Sequence, residues 1–360
     1  MDELRVGIIG TGYIARIHAQ ALNATTGAHL EAVSSRSSTS REQFRSEFAV
    51  PRALENAEAL LSDETIDAVI LCTPNSLHAT HAIAALRAGK HVLVEKPMGC
   101  SLSESNEMTE TAMSTGCVLM VGHMWRFDTE VIALRDQIHT GAIGRVYRTH
   151  GYGTHANWGP GGWFTDPDRA WGGSLADMGV HAIDTARFLL GDPLPRRVHA
   201  VVGAWTGAVS GIDDTALVTV EWSSGAVSTI ESGWWQPHVD APEAGTRLYG
   251  TRGYASLFPT LLHSREDELS QIASETANYG GELPPLTEQP VLVSDRSDHC
   301  DPRAYARQMQ TFIDAARTRG STAAGGHEGA VNVAIIEAAY RSAETHQVVE
   351  LAPDSIAGMT

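Results

Sequence analysis

One turn constrains this chain more than any other feature. Residues 5–9, RVGII, form a short apolar run that ends in Gly10-Thr11-Gly12-Tyr13-Ile14-Ala15, and a helical pattern follows through Ala24. A strand that turns through G-x-G-x-x-A into a helix is a dinucleotide-binding unit. Gly10 permits the tight turn, Gly12 lets the backbone approach a pyrophosphate at the helix N-terminus, and Ala15 lets helix and strand pack closely. The motif alone is weak, but its context is right, because a second apolar strand follows at 30–33. Further strands are expected at 68–72, 92–94 and 118–121, with helices from His78 through Leu86 and over 102–114 between them. This alternation predicts an α/β fold whose N-terminal part is a Rossmann, doubly wound parallel sheet. Ligands of such sheets bind beyond the carboxyl ends of the strands. Gly10, Ser35, Thr73 and Lys96 all fall at such ends and are expected on one edge.

The end of the second strand bears on the coenzyme. An NAD site usually carries Asp or Glu there for the ribose hydroxyls. This chain has Ser34-Ser35-Arg36-Ser37-Ser38, then Arg41. Without an acid to repel a 2′-phosphate, and with guanidinium groups to bind one, the stretch points to NADP and leaves NAD open. The expected coenzyme-binding set is Gly10, Gly12, Tyr13, Ile14, Ser35, Arg36, Arg41, Thr73, Pro74, Asn75, His78, Glu95 and Lys96.

Composition removes other classes. The 360 residues are 42% hydrophobic, enough for a large core and about two domains. A net charge of −17 supplies no basic stripe for nucleic acid. No apolar run approaches a membrane span, and MDELRVGIIG enters a strand at once, so no signal peptide is expected and the protein is expected to be cytoplasmic. Cys72, Cys100, Cys117 and Cys300 have no CxxC pairing and read as small buried hydrophobes.

Glu95-Lys96-Pro97 follows the 92–94 strand. With G-x-G-x-x-A and Thr73-Pro74-Asn75, in that order, and with GGSLADMGVHAIDTARFLLG at 172–191, it resembles the glucose–fructose oxidoreductase / inositol dehydrogenase family. The resemblance extends to YGTRGYASL at 249–257 and covers nearly the whole chain. It implies a C-terminal α+β domain with a mainly antiparallel open sheet, whose free face packs in a homodimer or homotetramer. It also implies a cis Lys96–Pro97 bond and a catalytic set of Lys96, Asp177 and His181. The expected domains are 1–122 for dinucleotide binding and 123–360 for substrate binding and oligomerisation. The absence of Asp at position 35 departs from many members and leaves hydride transfer untouched.

Asp177 and His181 are four apart on a helical pattern that runs to Leu190, so they share a face. A helix start disfavours an imidazolium and a nearby carboxylate favours it, which predicts a histidine held near neutrality. His181 is then the acid/base, Asp177 its orienter and a substrate ligand, and Lys96 a donor to the developing alkoxide. The plain alternatives are a helix-capping pair and a metal site with His150, His155 and Asp184. The second lacks H-E-x-x-H spacing, and no metal is expected. The loop NWGPGGWFTDPDRAWGG at 157–173 places three tryptophans among glycines, carboxylates and an arginine, a composition suited to the CH faces and hydroxyls of a sugar. The expected substrate-binding residues are Lys96, Arg126, His155, Trp163, Asp177 and His181. The reading is an NAD(P)-dependent oxidoreductase acting on a secondary alcohol or ketone of a sugar, sugar derivative or inositol. A redox-assisted glycoside-cleaving enzyme that retains its nucleotide, and a non-catalytic NAD(P)- and sugar-sensing regulator, stay open.

Overall fold

The computed structural model describes residues 3–237, 243–269, 271, 283–291, 302–352 and 356; Cys300 lies outside them. The first six strands are β1 (Leu4–Ile9), β2 (Ala28–Ser34), β3 (Arg52–Leu54), β4 (Ala68–Leu71), β5 (His91–Val94) and β6 (Leu119–Val121). They form one parallel sheet in the order β3-β2-β1-β4-β5-β6. The helices between them are α1 (Tyr13–Asn23), α2 (Ser38–Glu47), α3 (Ala57–Leu61), α4 (His78–Arg87) and α5 (Leu102–Thr115). Strands covered on both faces need apolar side chains at every position. Accordingly, β4 and β5 are buried at all four of their residues. Strand order reverses between β1 and β4, so the crevice of the sheet opens where Gly10 and Thr73 end those strands. Gly10 has φ +112°, and a Cβ there would fall on the carbonyl of Cys72, so no other residue fits the turn.

After α6 (Thr129–His139), a nine-stranded sheet forms from β7 (Val146–Ala156), β8 (Pro195–Gly203), β9 (Thr215–Trp222), β10 (Val227–Gln236), β11 (Ala244–Gly250), β12 (Gly253–Leu257), β13 (Leu261–Ser264), β14 (Thr287–Gln289) and β15 (Val349–Glu350). Among the described pairings only β7–β10 is parallel. Thr287–Gln289 supplies the edge strand beside β13. Ala216, Val218, Val220 and Trp222 of β9 face inward, as their alternation predicts. They pack with α8 (Val180–Leu189), the helix after the short α7 (Pro167–Ala170), and with α10 (Gly326–Thr345) in one core.

Packing crosses the expected boundary at 122/123. Helix α9 (Pro302–Thr318) places Met309, Phe312 and Ile313 in the core beneath β1 and α1, and Val333 of α10 reaches the core of β4 and β5. Both sheets thus share one helical layer at the chain's end. That layer holds the carboxyl edge of the first sheet against the inner face of the second.

Candidate active site

Lys96 is placed by what surrounds Glu95. The backbone N–H of Glu95 donates to Leu71 O at 3.0 Å, continuing the β5 pairing by one residue. Its carboxylate accepts from His18 Nε2 at 2.7 Å and from the Lys96 N–H at 3.1 Å. Both side chains are buried, so this pair clamps the end of β5 to α1 just under the glycine turn. The Lys96–Pro97 bond is cis. His78 Nδ1 lies 2.9 Å from Pro97 O and its Nε2 3.0 Å from Thr73 O, joining the loops after β4 and β5. Asn75 ties the first of these to the 157–173 loop, donating to Ala170 O at 2.7 Å. His78, Asn75 and Glu95 line the cleft, but their polar atoms hold loops together.

Asp177 sits in a π turn, Leu175–Gly179, that leads into α8. β7 packs directly on this turn because residue 153 is glycine; a Cβ there would fall on Met178 O. The start of the turn is capped by Asp213, which accepts from Gly173 N–H at 2.8 Å and Leu175 N–H at 2.9 Å. Lys96 Nζ reaches Asp177 from the other sheet, 2.7 Å from Oδ1 and 2.9 Å from the backbone oxygen. Trp234 Nε1 donates to Oδ2 at 3.0 Å. Burial would raise this carboxyl, but the Lys96 ammonium and the surrounding donors hold it well below the usual carboxylate range.

His181 stands one turn on, with its ring 5.3 Å from that of Trp125. The expectation that opposed effects keep its titration near neutral pH needs correction. Burial first, and then the charge of Lys96, push it down to about 3. Asp177 pulls the other way, but its charge is already matched by Lys96. The helix start that was expected to act on the ring is occupied by Asp213.

One cavity of about 510 Å³ joins these groups. Gly12, Tyr13, Ile14 and Thr73 line one end, and Lys96, Asp177 and His181 the middle. His155, Trp158, Trp163, Phe164 and Glu243 line the other end. Trp163 stacks on Phe164 at 3.9 Å, and His155 on Trp158 at 3.7 Å. Glu243 and Trp234, missed in the sequence, lie 88 and 57 residues from the His155 and Asp177 they contact.

The residues at the first end fit a dinucleotide. Helix α1 has no side-chain cap at Gly12, so its first N–H groups are free to meet a pyrophosphate. Thr73 Oγ1 is buried without a hydrogen bond, and Tyr13 is 82% exposed beside the turn. At the end of β2, Thr11 Oγ1 donates to Ser35 Oγ at 3.3 Å, and Arg41 Nη1 donates to Ser35 O at 2.7 Å. Arg36 is exposed next to them.

Arg126 does not reach the cleft. It is buried, with Nε 2.9 Å from both oxygens of Asp184, Nη2 2.8 Å from Asp192 Oδ1 and Nη1 2.9 Å from Ala323 O. Asn332 of α10 adds a 2.7 Å bond to Asp184. This buried cluster joins the crossing segment, α8 and the last helices. Sequence reasoning took Arg126 as a further substrate candidate, whereas its guanidinium faces inward. Asp184 is thus engaged, and His150 contacts Thr229 at 3.1 Å, so neither joins His155 as a metal ligand.

Comparison with known proteins agrees with this architecture. Residues 4–123 match a family model described as an oxidoreductase family with an NAD-binding Rossmann fold, and residues 131–256 match the GFO/IDH/MocA C-terminal domain. The chain is 32% identical over 324 residues to D-xylose 1-dehydrogenase (NADP(+)) 2 of Haloferax volcanii, covering 89% of this chain and 91% of that one. It is 27% identical over 365 residues to D-glucoside 3-dehydrogenase of Escherichia coli K12, covering 97% and 98%. Among solved structures, levoglucosan dehydrogenase in complex with NADH superimposes with a TM-score of 0.84 at 22% identity, over 98% of this chain and 100% of that one.

Proposed function

The chain belongs to the GFO/IDH/MocA family of oxidoreductases, and from that premise we propose that it moves hydride between NAD(P) and a secondary alcohol or ketone of a neutral sugar, sugar derivative or cyclitol. The observation that carries this reading is the 2.7 Å contact between Lys96 Nζ and Asp177 Oδ1. It places an ammonium, a carboxylate and the imidazole of His181 in one cavity with the glycine turn. The coenzyme, when bound, supplies the hydride acceptor or donor. Lys96 stabilises negative charge on the substrate oxygen. The neutral imidazole of His181 accepts the hydroxyl proton, and Asp177 fixes the ammonium and binds a neighbouring hydroxyl. Among the described residues no arginine lines the cavity, and Glu95, Asp177 and Glu243 outnumber Lys96, which favours neutral over phosphorylated or acidic sugars. Trp158, Trp163 and Phe164 offer flat faces to the CH side of a sugar ring.

Ser35, Arg36 and Arg41, without an acid, favour NADP as the better coenzyme. His181→Asn is expected to lower turnover by about 10²–10⁴-fold with either coenzyme, the usual worth of general acid–base help. Equal turnover of variant and wild type would remove His181 from this role, and better saturation by NAD than NADP would reverse the coenzyme preference.

The outer face of the second sheet supports self-association. Val201 and Leu217 are each 49% exposed and lie opposite each other in the β8–β9 register. Contiguous exposed apolar surface on a sheet face suits a contact between subunits. A homodimer or homotetramer through this face predicts that Leu217→Asp shifts the mass seen by light scattering towards the monomer; an unchanged mass would place the contact elsewhere.

A further inference from the structure

We propose that His155 and Glu243 form the exit by which the substrate's hydroxyl proton leaves the cleft, with Asp177 as their link to the reacting centre. This rests on the hydride-transfer reading above. Oxidation of a secondary alcohol breaks a C–H bond, whose electron pair goes with the hydride to NAD(P)⁺. It also breaks an O–H bond, whose electron pair becomes part of the C=O bond. One proton is left over in each turnover and must reach water.

Trp125, Trp158, Trp163 and Phe164 wall the substrate end. His181 receives the proton from the reacting oxygen and does not keep it, because burial and Lys96 oppose its charged form; the proton passes on through the neighbouring substrate hydroxyl that Asp177 binds. A second row of groups starts at the same place. Asp177 Oδ1 holds Lys96 Nζ at 2.7 Å, and Asp177 Oδ2 lies 3.6 Å from His155 Nε2. His155 Nδ1 lies 3.3 Å from Glu243 Oε2. The 3.6 Å step is longer than a hydrogen bond, as catalytic contacts often are before substrate closes the site.

Exposure rises along this row, from 10% for the Asp177 side chain and 11% for His155 to 27% for Glu243. The row therefore leads from the interior to solvent. It is also held in place. Glu243 Oε1 accepts from Ala156 N–H at 3.2 Å and from Trp158 Nε1 at 2.5 Å, while the Trp158 ring stacks on the imidazole. Among the described residues, the charged groups facing His155 are Asp177 from the π turn and Glu243 from the approach to β11, with Lys96 beyond Asp177. An imidazole between two carboxylates, with each nitrogen aimed at one of them, is arranged to take a proton on one side and release it on the other. In this arrangement Glu243 receives the proton from His155 and, through its contacts to Ala156 and Trp158, also holds the ring in place.

The rival role is mechanical: the same contacts would merely hold Trp158. Glu243→Gln and His155→Asn separate the two. Both are assayed with NADP⁺ or NAD⁺ and myo-inositol, D-xylose or methyl β-D-glucopyranoside, and binding of NADPH by fluorescence shows that each variant is folded. The expected result is a kcat about 10²-fold lower for His155→Asn, at the low end of general acid–base effects. Its KM is little changed, its solvent deuterium isotope effect is larger, and added imidazole restores activity. Glu243→Gln shifts the pH profile of kcat in the same direction. Wild-type isotope effects and pH profiles in both variants, or a loss confined to KM that imidazole does not restore, would overturn the exit. If the wild type oxidises none of the probes, the hydride-transfer reading fails first. The exit is then judged by ¹⁵N NMR: a proton fixed on His155 Nδ1 that Glu243→Gln releases supports it, and an unchanged tautomer overturns it.

Discussion

Lys96→Met will reduce kcat by about 10²–10³-fold, the worth of a single preorganised donor to a developing oxyanion. Methionine keeps the apolar stem and deletes the ammonium, so the change isolates charge from packing. The same substitution leaves the buried Asp177 carboxylate without its counter-ion. Trp234 Nε1 remains at 3.0 Å, but one neutral donor does not replace a charge at 2.7 Å. Breaking a buried pair costs about 3–5 kcal/mol. The side chains of Lys96 and Asp177 are 15% and 10% exposed, so the lower end applies.

The pH dependence of that loss has a definite sign. In the wild type the Asp177 carboxyl lies below its unfolded value, so it contributes stability above the ordinary carboxylate range that is lost as pH falls through its folded value. Without Lys96 burial dominates and raises it, so the variant regains stability as acid protonates the group. The stability gap between wild type and variant is therefore expected to narrow from pH 7 towards pH 4. His181 moves in the same direction, because the Lys96 charge that helped push it to about 3 is gone; burial, the larger cause, remains, so its titration by NMR rises only part of the way back. Near-normal turnover, or a gap that widens in acid, would contradict this role for Lys96.

Arg126→Met is expected to damage stability and spare substrate binding. Arg126 and Asp184 have side chains that are 1% and 3% exposed, and removing the guanidinium leaves Asp184, among the described residues, with Asn332 alone at hydrogen-bond distance. A loss of about 3–5 kcal/mol follows, read as a lower denaturant midpoint of tryptophan fluorescence. KM for the sugar in the folded fraction should stay near that of the wild type. Adding Asp184→Asn should recover part of the loss, because the stranded charge is then removed as well. A raised KM with an unchanged midpoint would instead return Arg126 to the substrate.

The first sheet was legible because strands covered on both faces leave continuous apolar runs, as at 68–72 and 92–94, and because Gly10 and Gly12 mark the turn. The alternation of Ala216 to Trp222 showed β9 for a similar reason. What local pattern does not encode is which distant side chain neutralises another. Lys96 and Asp177 are 81 residues apart, and Arg126 and Asp184 are 58. The first pair was reached only through the family resemblance. Arg126 was misplaced because an arginine after β6 looks the same in sequence whether it faces a cleft or a buried carboxylate. Glu243 stands alone before an ordinary strand, and Trp234 reads as core, so neither carries a local signal. The depressed His181 was missed because its environment depends on the ion pair beside it and on Asp213 at the helix start.

The most direct test of hydride transfer is absorbance at 340 nm while the wild type meets NADP⁺ or NAD⁺ with myo-inositol, D-xylose and methyl glucosides. A rise that matches the ketone or lactone formed, mole for mole, is the predicted result. Glycoside cleavage without a net change at 340 nm, or coenzyme and sugar binding without any product, would contradict it.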